Sequence, residues 1–498
     1  MSFVAALIFS VAAIALIVIG GVGVGYLPKY VRERVKQEMV IDGPRAQLYS
    51  TWQNKTKNVG LYESYYVFHC VNPDAVLNGG ASPIVEERGP YVYRSYMYKD
   101  VSNISWKVDG TVEYTYHQTY EFDPALSNGT ESDVVTTLNL GLIVPLYRSR
   151  DNIDQQLALK FLAAGAGVNM FIQLTVGQLL WGYNNSFLEE LQKADPKANV
   201  TTWVALQTND DPSMFSGLSA QWSGGEPARG FPDPLPHSAC EMTMWSGMKA
   251  MPYWGSAYAN AINGTDGSQF WPGITAADAP YVFVDSLTRS TKLVSRGTAD
   301  LDGIELVRFT LDPHQMLNSS ANPDNLAFYM NYTGFISRPP AFNLPIVLSK
   351  PHYLDADQTY VHVQFVDAIP GGVEVYDTFI DAESITGAVM RVHKRIQLNV
   401  LILSIYGGLD TIQTWFPLIW SDEYAEANSQ LISDYKENIA TPLAVGKYGG
   451  ASAIALGVVC AILAVVFGRR HHSRKRHINY SSLETDRLNS LPGTPQLR

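Results

Sequence analysis

Two long uncharged apolar runs bound the chain, Met1–Pro28 and Tyr448–Gly468, and the residues between them follow much shorter patterns. A helix rises about 1.5 Å per residue, so roughly 20 residues cross the ~30 Å hydrocarbon core, and both runs are long enough. The first run lacks a basic leader and is longer than the apolar stretch of a cleaved signal, so it is expected to remain as an anchor. A third stretch, Gln155–Leu188, carries one charge, at Lys160. Asn169, Gln173 and the Gly165/Gly167 pair suit lipid poorly, so this stretch is read as a pair of apolar helices of the middle domain.

Period-two patterns dominate that domain. Val112, Tyr114, Tyr116, Tyr120 and Phe122 alternate with Glu113, Thr115, His117, Thr119 and Glu121, as in a strand with one wet face. A longer strand follows, with Met390, Val392, Ile396, Leu398, Val400 and Ile402 on one side and Arg391, His393, Arg395, Gln397 and Asn399 on the other. Shorter strands are expected at 281–284, 304–311 and 361–366, separated by Gly/Pro/Asn turns. Helices are expected at 29–40, at 154–180 with a break near Gly165, and at 187–193. The fold class is therefore α+β, an antiparallel β core with helices at its ends and two terminal transmembrane helices.

Eight of the nine Asn-X-Ser/Thr sequons, at Asn54, Asn103, Asn128, Asn184, Asn199, Asn263, Asn318 and Asn331, lie between the terminal runs; the ninth, at Asn479, lies in the tail. The eight place residues 29–447 on the glycosylated lumenal or extracellular side, between transmembrane segments 1–28 and 448–468. Arg469, Arg470, Arg474, Lys475 and Arg476 follow the second run at once and put the tail, 469–498, in the cytosol. Lys29, Arg32, Arg34 and Lys36 argue the opposite side for residue 29 onward; the sequons outweigh them.

The chain carries 36 basic and 47 acidic groups, of which 7 and 2 follow Gly468, leaving a net charge of −16 for the remainder. That balance argues against nucleic acid as a partner. Cys70 and Cys240 are candidates for one disulfide, whereas Cys460 falls in the second apolar run. The tail, with its Ser, Pro and basic residues, reads as disordered. There is no Gly-X-Ser-X-Gly elbow, no His-Glu-X-X-His helix and no phosphate-binding glycine loop followed by Lys. The histidines are scattered, and Asp300, Asp302 and Glu305 lack the spacing of a calcium loop. No enzyme, metal or cofactor is expected. Gly21/Gly25 and Gly446/Gly450 are small-X-X-X-small pairs suited to packing the spans together.

A series of motifs carries a resemblance. Tyr66, Val67 and Phe68, then Asn72 and Pro73, precede Glu87, Arg88, Gly89, Pro90, Tyr91, Val92, Tyr93 and Arg94. Leu179–Tyr183, Ile262–Asp266, Asn322–Asn325 and Pro351–Leu354 follow in order, then Ile385, Thr386, Gly387 and Lys394, Arg395, Gln397, Asn399. Together they resemble the class B scavenger receptors, the family of fatty-acid translocase and the lysosomal integral membrane protein. On local chemistry the motif residues read as structural. Gly89 with Pro90 and Asn72 with Pro73 suit turns, and Gly264 a turn tip.

The resemblance implies a β-barrel-like ectodomain, a helical bundle at its distal apex, and an apolar tunnel that hands lipids (fatty acid, sterol or phospholipid) to or from the membrane. It also implies a second role, docking a soluble lumenal hydrolase through the apex. The apical surface falls here on Leu157, Lys160, Phe161, Val168 and Phe171. Leu157, Phe161, Ala164, Val168 and Phe171 recur at helical spacing, as a packed bundle seam or a docking face. The chain departs from the family in two places. Ala163–Val168 carries no lysine, and the cysteine cluster of the C-terminal half is missing. Tyr480–Leu483 resembles a tyrosine-based sorting signal read by cytosolic adaptors. A two-pass protein of lysosomal, endosomal or plasma membrane is expected, with homo-oligomerisation left open.

Overall fold

Lipid offers no hydrogen-bond partner to the backbone, so an uncharged run of this length is stable there as a helix. The computed structural model describes residues 2–39, 41, 43–46, 48–56, 59–107, 111–198, 200–207, 221–225, 241–366, 371–403 and 414–489. Helix α1 (Ser2–Gly21) runs on through Val22–Tyr26 into α2 (Leu27–Glu38). The chain divides into two compact units, Met1–Gln37 with Ser429–Arg498, and Glu38–Asn428.

The second unit begins with three long strands, β1 (Leu61–Cys70), β2 (Ile84–Lys99) and β3 (Thr111–Phe122). A mostly helical insertion follows: β4 (Val134–Leu138), α3 (Leu140–Arg148), α4 (Ile153–Gly165), β5 (Phe171–Thr175), α5 (Val176–Trp181) and α6 (Ser186–Ala194). The remaining strands of four or more residues are β6 (Gln221–Gly225), β7 (Glu241–Trp245), β8 (Tyr281–Val284), β9 (Arg289–Leu301), β10 (Ile304–Leu311), β11 (Ile346–Ser349), β12 (Phe379–Ala382), β13 (Val389–Ile402) and β14 (Thr414–Glu426). They join one sheet in the order β7-β6-β3-β2-β1-β14-β13-β12-β10-β9-β8, with β11 branching from β13. Every pair along this path is antiparallel.

The end strands β7 and β8 meet through two residues of the Ile262–Asp266 motif. Gly264 O accepts from Met242 N–H (2.8 Å), while Thr265 donates to Tyr281 O (3.1 Å) and accepts from Phe283 N–H (2.9 Å). The sheet is thus barrel-like, joined by a single loop where a closed barrel would have a ladder. Gly264, expected at a turn tip, sits in this seam at φ +79, where a Cβ would collide with Tyr281 O. Beside it, half-buried Asp266 pairs with Lys55. Burial works against its charge, but Lys55 and Ser268 hold the carboxyl well below the usual carboxylate range.

Several local expectations are corrected. Gly89 and Pro90 lie inside β2, not in a turn. Gly89 faces a bulge in the β1–β2 ladder at φ +134, where a Cβ would stand 2.7 Å from Tyr65 O. Asn72 opens a short helix, Pro73–Gly79, and its Oδ1 accepts from Ile84 N–H (2.8 Å). The expected helix at 154–180 breaks at Gly165, where a break was expected, and resumes at Val176, but the stretch between is not all loop. Residues 171–175 become a strand because they pair with β4, from Val134↔Thr175 to Leu138↔Phe171. In 361–366 only Gln364–Phe365 is strand, running parallel to β2.

In the first unit the return helix α7 (Gly450–Asn489) lies antiparallel to α1. Phe467 stacks on Phe9 (5.7 Å between centroids), and the small residues allow close approach further along. A Cβ on Gly20 would stand 2.5 Å from Gly450 O, and one on Gly23 3.1 Å from Gly446 O. Of the expected pairs, Gly446/Gly450 face the partner; Gly21 and Gly25 meet nothing, and Gly20 and Gly23 take their place. Within α7, residues 469–489 continue the helix past the apolar run, where a disordered tail was expected.

Replacing Gly264 by Ala forces both a left-handed backbone and a clash, which should cost about 2–3 kcal/mol. Gly273, at φ +92 with open space around it, is the control that carries the backbone penalty alone. Thermal unfolding of the two variants should show the larger loss for Gly264→Ala; equal losses would contradict the seam.

Candidate functional site

Helix α4 is fixed by its inner side. Asn152 caps its first turn, accepting from Gln155 N–H (3.1 Å), and buried Gln156 donates to Ser149 O (3.1 Å) and Arg150 O (2.8 Å). Leu159 and Ala163 complete the buried side. The outer side is apolar as well: Ile153, Leu157 and Phe161, four residues apart, are 72%, 49% and 76% exposed, with Lys160 beside them. The helix turns a ridge of large side chains to solvent and keeps smaller ones inside.

The five residues singled out for this surface therefore separate. Leu157, Lys160 and Phe161 lie together on the exposed ridge. Gly167, at φ +67, turns the chain inward. Val168 packs half-buried against the core, and Phe171 is buried edge-on to Phe416 (6.2 Å). Helical spacing does not continue across the turn, so Val168 and Phe171 are core, and the expected seam runs through Gln156, Leu159 and Ala163.

A second cluster lies inside the sheet. Glu63 shares a strand face with Tyr65 and Val67 and stands opposite Glu423 in the β1–β14 register. Lys394 of β13, itself opposite Glu423, bonds Glu423 Oε2 at 2.9 Å and reaches Asp285 at 3.9 Å. Gln207 donates to Glu63 Oε1 (3.5 Å). Burial, then the nearby Glu423, pushes the Glu63 carboxyl up to about 7, only partly offset by Lys394. Lys394 is half-buried; desolvation works against its charge, but Glu423 and Asp285 outweigh it and raise the ammonium above its ordinary value. Below this cluster Trp181 is enclosed by Tyr65, Tyr93 and Tyr120, with centroids 6.4, 4.9 and 5.2 Å away. The period-two pattern signals Glu63, an acidic residue on the inward face of an otherwise aromatic strand, but its partners arrive from distant strands.

On the opposite face of β13 the polar residues are covered. Arg395 bonds Asp422 Oδ2 (3.0 Å) and the carbonyls of Glu374 (3.0 Å) and Asp377 (2.9 Å). Gln397 Oε1 accepts from His352 N–H (2.8 Å), and Asn399 donates to Ser349 Oγ (3.0 Å). His352 Nε2 in turn meets Glu87 Oε2 at 2.6 Å, which also accepts from Trp420 Nε1 (2.8 Å). The sequence motifs around Glu87, His352 and Lys394–Asn399 thus form one network.

A profile of the CD36 family matches residues 11–468. The chain belongs to the CD36 family. It is similar to scavenger receptor class B member 1 of Sus scrofa, 27% identical over 468 residues that make up 92% of this chain and 88% of that protein. It is also similar to lysosome membrane protein 2 of Homo sapiens, 26% identical over 437 residues, 84% of this chain and 85% of the other. This CD36-family chain is accordingly a membrane protein of the class B scavenger type, with two terminal apolar helices and receptors, not enzymes, as its kin.

Of the sequon asparagines, Asn103, Asn128, Asn184, Asn263 and Asn331 are exposed and Asn54 and Asn318 half-buried; Asn199 lies outside the described residues. Cys70 is buried, its thiol raised to about 11 by that burial and directed at Asn72 Oδ1 (3.6 Å). Cys240, its candidate partner, lies outside the described residues. Among those residues no His/Cys/Asp/Glu group is arranged to hold a metal. Tyr480 and Leu483 are exposed on the last turns of α7.

Glu63 makes this fold acid-favouring. A carboxyl raised from 4.5 to about 7 by folding contributes stability that is present below pH 4.5 and lost as pH rises through 7. The difference amounts to about 3 kcal/mol. Thermal unfolding should fall in midpoint between pH 5 and 8 for the wild type, and Glu63→Gln should flatten that slope. Parallel profiles for the two proteins would contradict the assignment.

Proposed function

We propose that this CD36-family protein is a receptor or transporter that binds fatty acid, sterol or phospholipid on its ectodomain and passes it through an apolar interior to or from the bilayer. The observation that carries the reading is family membership over residues 11–468, from within the first span to the end of the second. The relatives named scavenger receptors point to the same class. Energetics supply the reason for a conduit: exposing a CH₂ to water costs about 0.8 kcal/mol, so a 16-carbon chain crossing alone meets roughly 12 kcal/mol. The aromatic wall around Trp181 is the kind of lining such a route requires.

The exposed ridge of α4 favours a second reading, docking of a soluble lumenal protein such as a hydrolase. Three large apolar side chains on one solvent face are costly to maintain without a partner. Topology follows the eight sequons between the spans and the basic flank: residues 29–447 glycosylated at those eight, the tail cytosolic, and Cys70 and Cys240 available to pair. Tyr480 and Leu483 then offer cytosolic adaptors a Tyr-X-X-Leu signal, consistent with lysosomal or endosomal residence and passage through the cell surface.

Purified protein reconstituted in vesicles should speed transfer of a fluorescent fatty acid or sterol from donor vesicles. Phe161→Asp should leave that rate unchanged. Transfer no faster than in empty vesicles, together with loss of a captured lumenal protein in Phe161→Asp, would transfer the assignment to the docking reading. For the tail, Tyr480→Ala should raise the surface-labelled fraction; an unchanged fraction would remove the signal.

A further inference from the structure

The segment just past the second apolar run combines an unbroken helix with an unusual charge distribution. Residues 469–477 hold Arg469, Arg470, Arg474, Lys475 and Arg476, three histidines and Ser473, with no acidic group before Glu484. Because α7 stays helical through this segment, its azimuths can be assigned at about 100° per residue. The five permanent cations then fall at roughly 0°, 100°, 140°, 240° and 340°, and the histidines at roughly 200°, 300° and 80°. No side of the helix lacks a cation, and no side is apolar. All five cations are exposed.

The depth of the segment follows from the hairpin. Phe467 stacks on Phe9, and the His471 ring lies against Phe3 (5.6 Å between centroids). The first cations therefore lie alongside the first turn of α1, where that helix's apolar surface begins. The remaining ones extend about 10 Å further, a distance covered by the headgroup layer and one Debye length. A helix lying flat on a membrane needs one apolar face and one charged face; this segment has neither. Its geometry suits a helix passing upright through a layer of negative groups.

We propose that residues 469–477 form a cationic collar that gathers anionic phospholipid headgroups of the leaflet from which α7 emerges. The collar rests on the two-pass topology proposed above for naming that leaflet cytosolic. Its recognition is charge complementarity to lipid phosphates and carboxylates on all sides of one helix. Each Lys or Arg at a membrane surface favours an anionic over a zwitterionic neighbour by roughly fivefold.

The test reconstitutes the full chain in vesicles of phosphatidylcholine and phosphatidylserine and follows spin-labelled lipids by electron spin resonance, which resolves the shell held against the protein. Wild type should select the serine lipid over the choline lipid severalfold, and the triple variant Arg474→Gln/Lys475→Gln/Arg476→Gln should lose most of that preference. The preference should also collapse at 1 M salt, where the Debye length is about 3 Å. Lys29, Arg32, Arg34 and Lys36 are the same in both proteins, so the difference reads the collar. Arg469 and Arg470 are kept to preserve orientation, and glycosidase-sensitive mass reports topology separately from the resonance signal. A wild-type ratio of one, as expected if the segment serves only an acidic protein, or an equal ratio in wild type and variant, would overturn the proposal.

Discussion

A polar strand face buried under a loop is the constraint on which the ectodomain depends. Strand β13 turns Arg395, Gln397 and Asn399 away from its apolar side, and Gln397 and Asn399 are fully buried. Buried polar groups are tolerated only when they are hydrogen-bonded, so something must cover this face and satisfy it. The segment from β11 to β12 does both. It supplies Ser349 Oγ, His352 N–H and the carbonyls of Glu374 and Asp377 to those three side chains. Removing one partner would leave the others buried and unpaired, which is the costly case. This reciprocal dependence ties β2, β11, β13 and β14 into one unit, since Glu87 and Trp420 join the same network through His352.

The two faces of the sheet handle charge differently. On the covered face each cation has its carboxylate: Arg395 with Asp422, and Arg308 and Arg391 both with Asp381 at 2.8 Å. On the inner face Glu63, Glu423 and Asp285 share one lysine, Lys394. Glu63 is the buried member of that group, and burial together with Glu423 raises its carboxyl above the ordinary value. Through this one group, folding is favoured at lower pH.

Much of the fold was legible because long periodic elements dominate it. β3, β8, β10 and β13 fall within a residue of the expected spans, and α2 and α6 within two. The errors share a cause, namely tertiary pairing overriding local pattern. Phe171–Thr175 lies in an apolar stretch that suits helix or strand, and its pairing with β4 decides. Gly89 and Gly264 look like turn residues locally but serve close backbone approaches to Tyr65 and Tyr281. The α4 surface was half legible: the spacing of Leu157 and Phe161 is right for one face, but only the packing of Gln156 and Leu159 reveals which face is buried. The Glu63 cluster was invisible as a site because β1, β13 and β14 lie more than 300 residues apart in part of their pairings and no spacing rule joins them.

The central claim is that this CD36-family ectodomain is a lipid carrier, and it is tested most directly by what the protein holds. Mass spectrometry of solvent extracts from the purified, glycosylated ectodomain, residues 38–428, should find fatty acid, sterol or phospholipid in near-stoichiometric amount. An extract with no lipid above that of an unrelated secreted glycoprotein would contradict the account.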